Sequence, residues 1–270
     1  TRHESSAASD VYKRQVNGVN EFPAELSKHA PARIVTRLIR DAGNRDHDQK
    51  RWTDYEYHGG RTDRKGGFLG FASTTKRHHS PGFGDAQFAE HPDSIVHRIF
   101  SQYREYDAVN KLYPYAGIAT DVIRERRTLS NVGSPLRLVH WNALTPSVFN
   151  SDHSSVLGTY VDTIVERHYE LPENFCDSEY CLPDDLFDRD SFLLKEDTNR
   201  VTKIDEFGNV LIKETSSLNG FSTLTTNEVT NLAADNGFWK IGMIDSEAIT
   251  FTAPDGSLKW RHREYDWDLT

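Results

Sequence analysis

Two pairs of short runs toward the C-terminal end leave this chain little local choice. Arg200–Ile204 and Asn209–Glu214 flank Asp205-Glu206-Phe207-Gly208, while Glu247–Thr252 and Leu258–Tyr265 flank Ala253-Pro254-Asp255-Gly256-Ser257. β-Branched and aromatic residues alternate with polar ones on either side of turn formers. Proline presets one backbone angle, glycine accepts a left-handed one and aspartate bonds its own backbone. Such a pattern closes into antiparallel hairpins. Further back, LRLVHW (136–141) and GTYVDTIVERHY (158–169) fit strands, although the second also fits a helix. Thr225 and Glu228 have capping-box spacing, which predicts a short helix through Leu232. Residues 136–270 therefore read as a β-rich region. Within it, residues 170–190 hold eight acids against one base with no period, and so read as an acidic connecting loop.

Residues 16–135 carry a different spacing. Ile34, Val35, Leu38 and Ile39 recur at helical intervals with Arg33, Arg37 and Arg40 on another face, and Ala42-Gly43 supplies a stop. Asp93 reads as the N-cap of a second helix whose buried stripe is Ile95, Ile99, Tyr103, Tyr106 and Leu112. Beyond Pro114, a third segment from Tyr115 to Arg127 turns Ile118, Val122 and Ile123 inward. Residues 43–92 show little apolar periodicity and read as a long polar loop, a feature that is commonly functional. The expected fold is α+β, a mainly helical N-terminal half packed on a mainly antiparallel β C-terminal half. Residues 1–15 resemble a leader that recurs in translated metagenomic reads and are set aside from the fold.

Composition excludes some functions. A hydrophobic share of 36% in 270 residues sustains a core, yet no stretch approaches the roughly 20 apolar residues of a membrane span, so no membrane partner is expected. The net charge of -9 argues against a general nucleic-acid binder. Residues 1–135 hold 21 basic against 17 acidic residues and residues 136–270 hold 11 against 24, giving +4 and -13, so an anionic partner would meet the first half. Cys176 and Cys181 fit neither a redox C-x-x-C pair nor a zinc knuckle; an unpaired state is favoured over a small closed loop. With no signal peptide in the sequence, the expected place is the cytoplasm or a virus particle.

The candidate sites centre on Tyr57–His79 (YHGGRTDRKGGFLGFASTTKRHH). Its glycines match neither a Walker A loop, since no Ser or Thr follows Lys65 at the required spacing, nor the dinucleotide-binding fingerprint. Two readings remain, a flexible surface loop and a non-standard anion nest built from Arg61, Arg64 and Lys65. His58-Gly59-Gly60 followed by Phe71-Ala72-Ser73-Thr74-Thr75 superficially resembles ADP-ribosyltransferases, but the chain contains no Glu-x-Glu, so no residue role is carried over. His78, His79, His91 and His97 cluster beside Asp85, Glu90 and Asp93. His91-Pro92-Asp93 has the H-x-D form of an iron facial triad, with His140 or His153 as third ligand for iron or zinc. No G-x-S-x-G is present, and Asp152 and His153 in SDHSS read as turn residues.

Two functions follow as expectations. One is a soluble enzyme with a His/Asp polar site, metal-dependent through His91, Asp93 and His140 or His153, acting on an anionic small substrate. The other is a non-catalytic structural or assembly protein, a homo-oligomer or part of a larger assembly such as a virus particle. For that reading Trp239, Trp260 and Trp267 fit either core or interface.

Overall fold

The computed structural model describes residues 24–26, 34–41, 50–63, 67–79, 92–101, 106–107, 113–129, 134–150, 157–176, 178–187, 189–232 and 240–267. The leader reading for residues 1–15 lies outside them. Nearly all of what is described is antiparallel β-sheet, which overturns the helical N-terminal half.

The strands are β1 (Ala24–Leu26), β2 (Arg37–Asp41), β3 (Lys50–His58), β4 (Arg61–Asp63), β5 (Gly67–Gly70), β6 (Ser73–His79), β7 (Ser94–Ser101) and β8 (Ile118–Leu129). They continue with β9 (Pro135–Asn150), β10 (Leu157–Pro172), β11 (Leu193–Ile204), β12 (Val210–Ser217), β13 (Ser222–Leu232), β14 (Lys240–Thr252) and β15 (Leu258–Glu264). One helical turn, α1 (Pro183–Leu186), precedes β11. Hydrogen-bonded neighbours run β15-β14-β13-β12-β11-β10-β9-β8-β7-β6-β3-β2, and β1-β4-β5 form a small separate sheet.

Each expected helix has a specific reason for being a strand. Ile95 and Ile99 stand four apart, which is about one helical turn but also two repeats of a strand. The residues between decide: Ile95, His97 and Ser101 are buried on alternate positions of β7. Asp93 therefore precedes a strand and caps no helix. In β8, Val122 and Ile123 are adjacent and both buried, one on each face of the strand, so a pair that looked like one helical stripe belongs to two faces. Leu38 and Ile39 lie in β2, and Thr225 to Leu232, expected as a capped helix, lie in β13.

The polar loop expected over residues 43–92 contains β3 to β6, and its lack of apolar periodicity has a physical cause. Register aligns Arg37, Asp54, Arg77, Ile95 and Glu125 in one row across five strands, and Glu56, Thr75, His97 and Ile123 in the next. Opposite charges meet within the first row and between the two rows. Arg37 donates to Asp54 at 3.0 Å and Arg77 pairs with Glu56 at 2.8 Å. Although burial pushes the Glu56 carboxyl up, the Arg77 guanidinium beside it holds it below the usual carboxylate range. Cross-strand ion pairs thus replace the apolar alternation that a sequence reading looks for.

The chain divides into two compact units, Thr1–Asn142 with His168–Leu194, and Ala143–Arg167 with Lys195–Thr270. Every fully buried residue among those described lies in the first. Its core holds Ile95, Ile123, Val139, Trp141, Tyr169 and Leu171, and its buried polar groups are Thr75, His97, Ser101, Glu125 and Arg137. The second unit is a meander in which β11 to β15 pair in chain order, with both sequence-expected hairpins in place. At the first turn Asp205 accepts from the backbone N–H of Phe207 and Asn209 and from the side chains of Asn209 and Asn231, while Gly208 takes a left-handed φ of 88°. None of this unit's described residues is fully buried.

Candidate functional site

Residues expected as an acidic connecting loop instead form a cap within the first unit. β10 runs on to Pro172, and the segment after it carries the Cys176–Cys181 disulfide, with both cysteines buried. The expectation of an unpaired couple is therefore corrected. Three consecutive residues latch the cap to the sheet. Glu179 accepts from Arg77 at 2.9 Å and its backbone carbonyl accepts from Arg137 at 3.3 Å. Tyr180 stacks on His97 with ring centroids 4.5 Å apart, and the Cys181 backbone N–H donates to Glu125. Acidic residues give this segment its sequence character because the strands beneath supply the arginines.

Burial sets the electrostatics of that face. It pushes the His97 imidazole down to about 4, with the nearby Arg77 guanidinium acting in the same direction. His97 is thus neutral near pH 7, with its Nδ1 2.9 Å from Thr75 Oγ1. Burial also raises the Glu125 carboxyl above its usual range, against the pull of the Cys181 N–H and of Arg137, whose Nη1 stands 3.4 Å away.

Elsewhere in the first unit, a groove of about 430 Å³ is lined by Val96, Leu138, Arg124, Arg126, His140 and His168 among others. His140 stacks on His168 with centroids 4.2 Å apart and planes 17° from parallel. Both are metal-ligand side chains, and His168 was not singled out in the sequence because its pairing with His140 follows only from strand adjacency.

The expected site residues fare unevenly. His91, His153, Arg64 and Lys65 lie outside the described residues. Arg61 sits in β4, one strand of the small sheet. His78 and Asp93 come together: the Asp93 N–H donates to the His78 carbonyl at 2.8 Å, and His78 Nδ1 lies 3.0 Å from Thr53 Oγ1. Asp93 is exposed, and His140 is placed with His168.

The second unit offers a site of another kind, the free edge of β15. Ala253 N–H donates to the Ser257 carbonyl and Tyr265 N–H to the Asp245 carbonyl, so odd-numbered residues of β15 direct their backbone groups at β14. Antiparallel ladders alternate, so Leu258, Trp260, His262 and Glu264 direct their N–H and C=O groups outward. No neighbour of β15 other than β14 exists among the described residues. All seven of its side chains are exposed, with Leu258 at 66% and Trp260 at 80%. Lys259, Arg261 and Arg263 line one face of the strand, Leu258 and Trp260 the other.

No helix among the described residues is long and apolar enough to cross a membrane. No family model matches the chain, and no curated protein matches it. The crystal structure of TcdB2-TccC3 is similar in fold, with a TM-score of 0.51 at 13% identity, over 77% of this chain and 13% of that one. The chain thus spans about an eighth of the length of the structure it resembles.

Proposed function

We propose that this protein is a non-catalytic assembly module whose β15 edge accepts a further antiparallel strand. The observation that carries this reading is the open ladder of β15, four outward donors and acceptors beside Leu258 and Trp260. Natural edges of this kind are normally short, covered or blocked by proline, because unpaired backbone groups recruit strands. The second unit, with no fully buried residue among those described, gains most from being extended.

Charge selects the partner. A second copy of β15 would set Lys259, Arg261 and Arg263 against one another, because directly opposed residues in an antiparallel pair share a face. The fitting strand carries acidic side chains on that face and apolar ones opposite Leu258 and Trp260. A peptide of alternating valine and glutamate should therefore bind the chain, while its lysine counterpart should not. Trp260→Pro removes an outward N–H and leaves the β14 ladder intact, so it should weaken binding about tenfold, the equivalent of one or two backbone hydrogen bonds. Fluorescence anisotropy reads both; equal binding of the two peptides, or no effect of the proline, rules out strand addition here.

A second reading, a metal-dependent enzyme acting on an anionic substrate, is favoured by the stacked His140 and His168 beside Arg124 and Arg126 in the groove. In that case zinc supplied to the purified chain is retained through gel filtration and lost in His168→Ala. Zinc that elutes separately from the unaltered protein eliminates the metal reading.

A further inference from the structure

The geometry points to a binding site for one small oxyanion in the first unit, in a cleft of about 450 Å³ lined by Arg127 of β8, Arg137 of β9 and the disulfide-closed cap. Two guanidinium groups meet there, with side chains only 11% and 6% exposed. Both keep a buried N–H that donates to nothing: Nη1 of Arg127 and Nε of Arg137. A guanidinium has five donors and no acceptor and keeps its proton, so only an incoming acceptor can satisfy these atoms.

The carboxylates nearby are committed or badly placed. Glu179 gives both oxygens to Arg77 at 3.0 Å. Glu125 takes the Cys181 N–H and stands 3.4 Å from Nη1 of Arg137, not from its Nε. Glu173 Oε1 lies 3.4 Å from Arg127 Nη1, an ion pair without a hydrogen bond. Burial, and then the like charge of Arg137, push the Arg127 guanidinium below its ordinary range. An oxyanion between the two arginines would satisfy the orphaned donors and relieve that repulsion together; water would do only the first. The cleft also has Asn174 and Ser178 on its wall, although the Ser178 hydroxyl already donates to the Tyr180 carbonyl. The ligand class is thus a carboxylate or phosphate group, free or at the end of a larger molecule.

The experiment is calorimetric titration of the full chain with sodium phosphate and with sodium acetate, against sodium chloride at equal ionic strength. Saturable binding of either oxyanion is expected; phosphate alone identifies a tetrahedral ligand, acetate alone a carboxylate. Arg127→Gln should weaken binding about tenfold, the scale of a charge-assisted hydrogen bond. Glu173→Gln, which removes a competing negative charge and leaves the arginines in place, should strengthen it. It also decides the matter if the arginine variant does not fold. Heats no different from chloride, or affinity unchanged in Glu173→Gln, overturn the site.

Discussion

Arg137→Met should lower the unfolding free energy by about 3–5 kcal/mol at pH 7, the range for removing one partner of a buried ion pair. Arg137 is 5% exposed and Glu125 6%, and the two carry most of the charge buried beneath the cap. Without the guanidinium, Glu125 must remain charged in an apolar setting or take up a proton, and both cost stability. The Glu179 carbonyl also loses its donor. Adding Glu125→Gln keeps an oxygen for the Cys181 N–H and removes the stranded charge, so the double variant should return to within about 2 kcal/mol of the parent. Urea unfolding measures all three proteins. A single variant within 1 kcal/mol of the parent, by the scale of exposed pairs, would mean that this pair behaves as a surface salt bridge.

Acidification from pH 6.5 to 4 should cost the fold about 3 kcal/mol through His97 alone, from a displacement of the imidazole from 6.5 to about 4. The sign follows from which state binds the proton. His97 is depressed in the folded protein, so the unfolded chain protonates first as pH falls through 6.5. Stability is then full above that pH, declines below it, and levels off once the folded imidazole also titrates near 4. Glu125 acts oppositely: its raised carboxyl favours the fold at low pH and loses that advantage as pH rises through its folded value. His97→Asn, which keeps a group near Nδ1 for Thr75, should be less stable at pH 7 because it loses the stack on Tyr180, but should show a flatter profile between pH 6.5 and 4. A parent and variant with parallel profiles would place the acid sensitivity elsewhere.

Much of the second unit was legible because its information is local. Pro254-Asp255-Gly256 bends the chain where it stands: the Gly256 N–H donates to the Ala253 carbonyl, and Asp255 accepts from Ser257. At Asp205 to Gly208 the Asp205 side chain likewise closes the turn on the Phe207 and Asn209 N–H groups, with Asn231 adding one further donor. The first unit was misread where its signal is ambiguous. A separation of four serves helix and strand alike, and the filler positions in β7 are His97 and Ser101, residues that do not announce a core.

The candidate sites were less legible still. His78, His79, His91 and His97 crowd together in sequence, yet His97 is spent on Thr75 and Tyr180, and His140, expected with His91 and Asp93, finds His168 on the adjoining strand. Arg77 and Glu179 are 102 positions apart, and Glu125 and Cys181 are 56 apart. No local pattern links such residues. Arg127 and Arg137 stand ten apart on consecutive strands, and no local pattern in the sequence joins them.

By itself, then, the sequence determined where the chain turns and that residues flanking those turns pair as antiparallel strands. Those choices depend on backbone preferences within a few residues. Tertiary structure alone decided that the N-terminal half is sheet, that the acidic segment is a cap closed by Cys176–Cys181, and which charges are buried against one another. The reason is that the burial of a charged row depends on what lies across the strands. Arg77 meets Glu56 and Glu179, and Glu125 meets Arg137 and the Cys181 N–H, only once strand register and the cap bring them together.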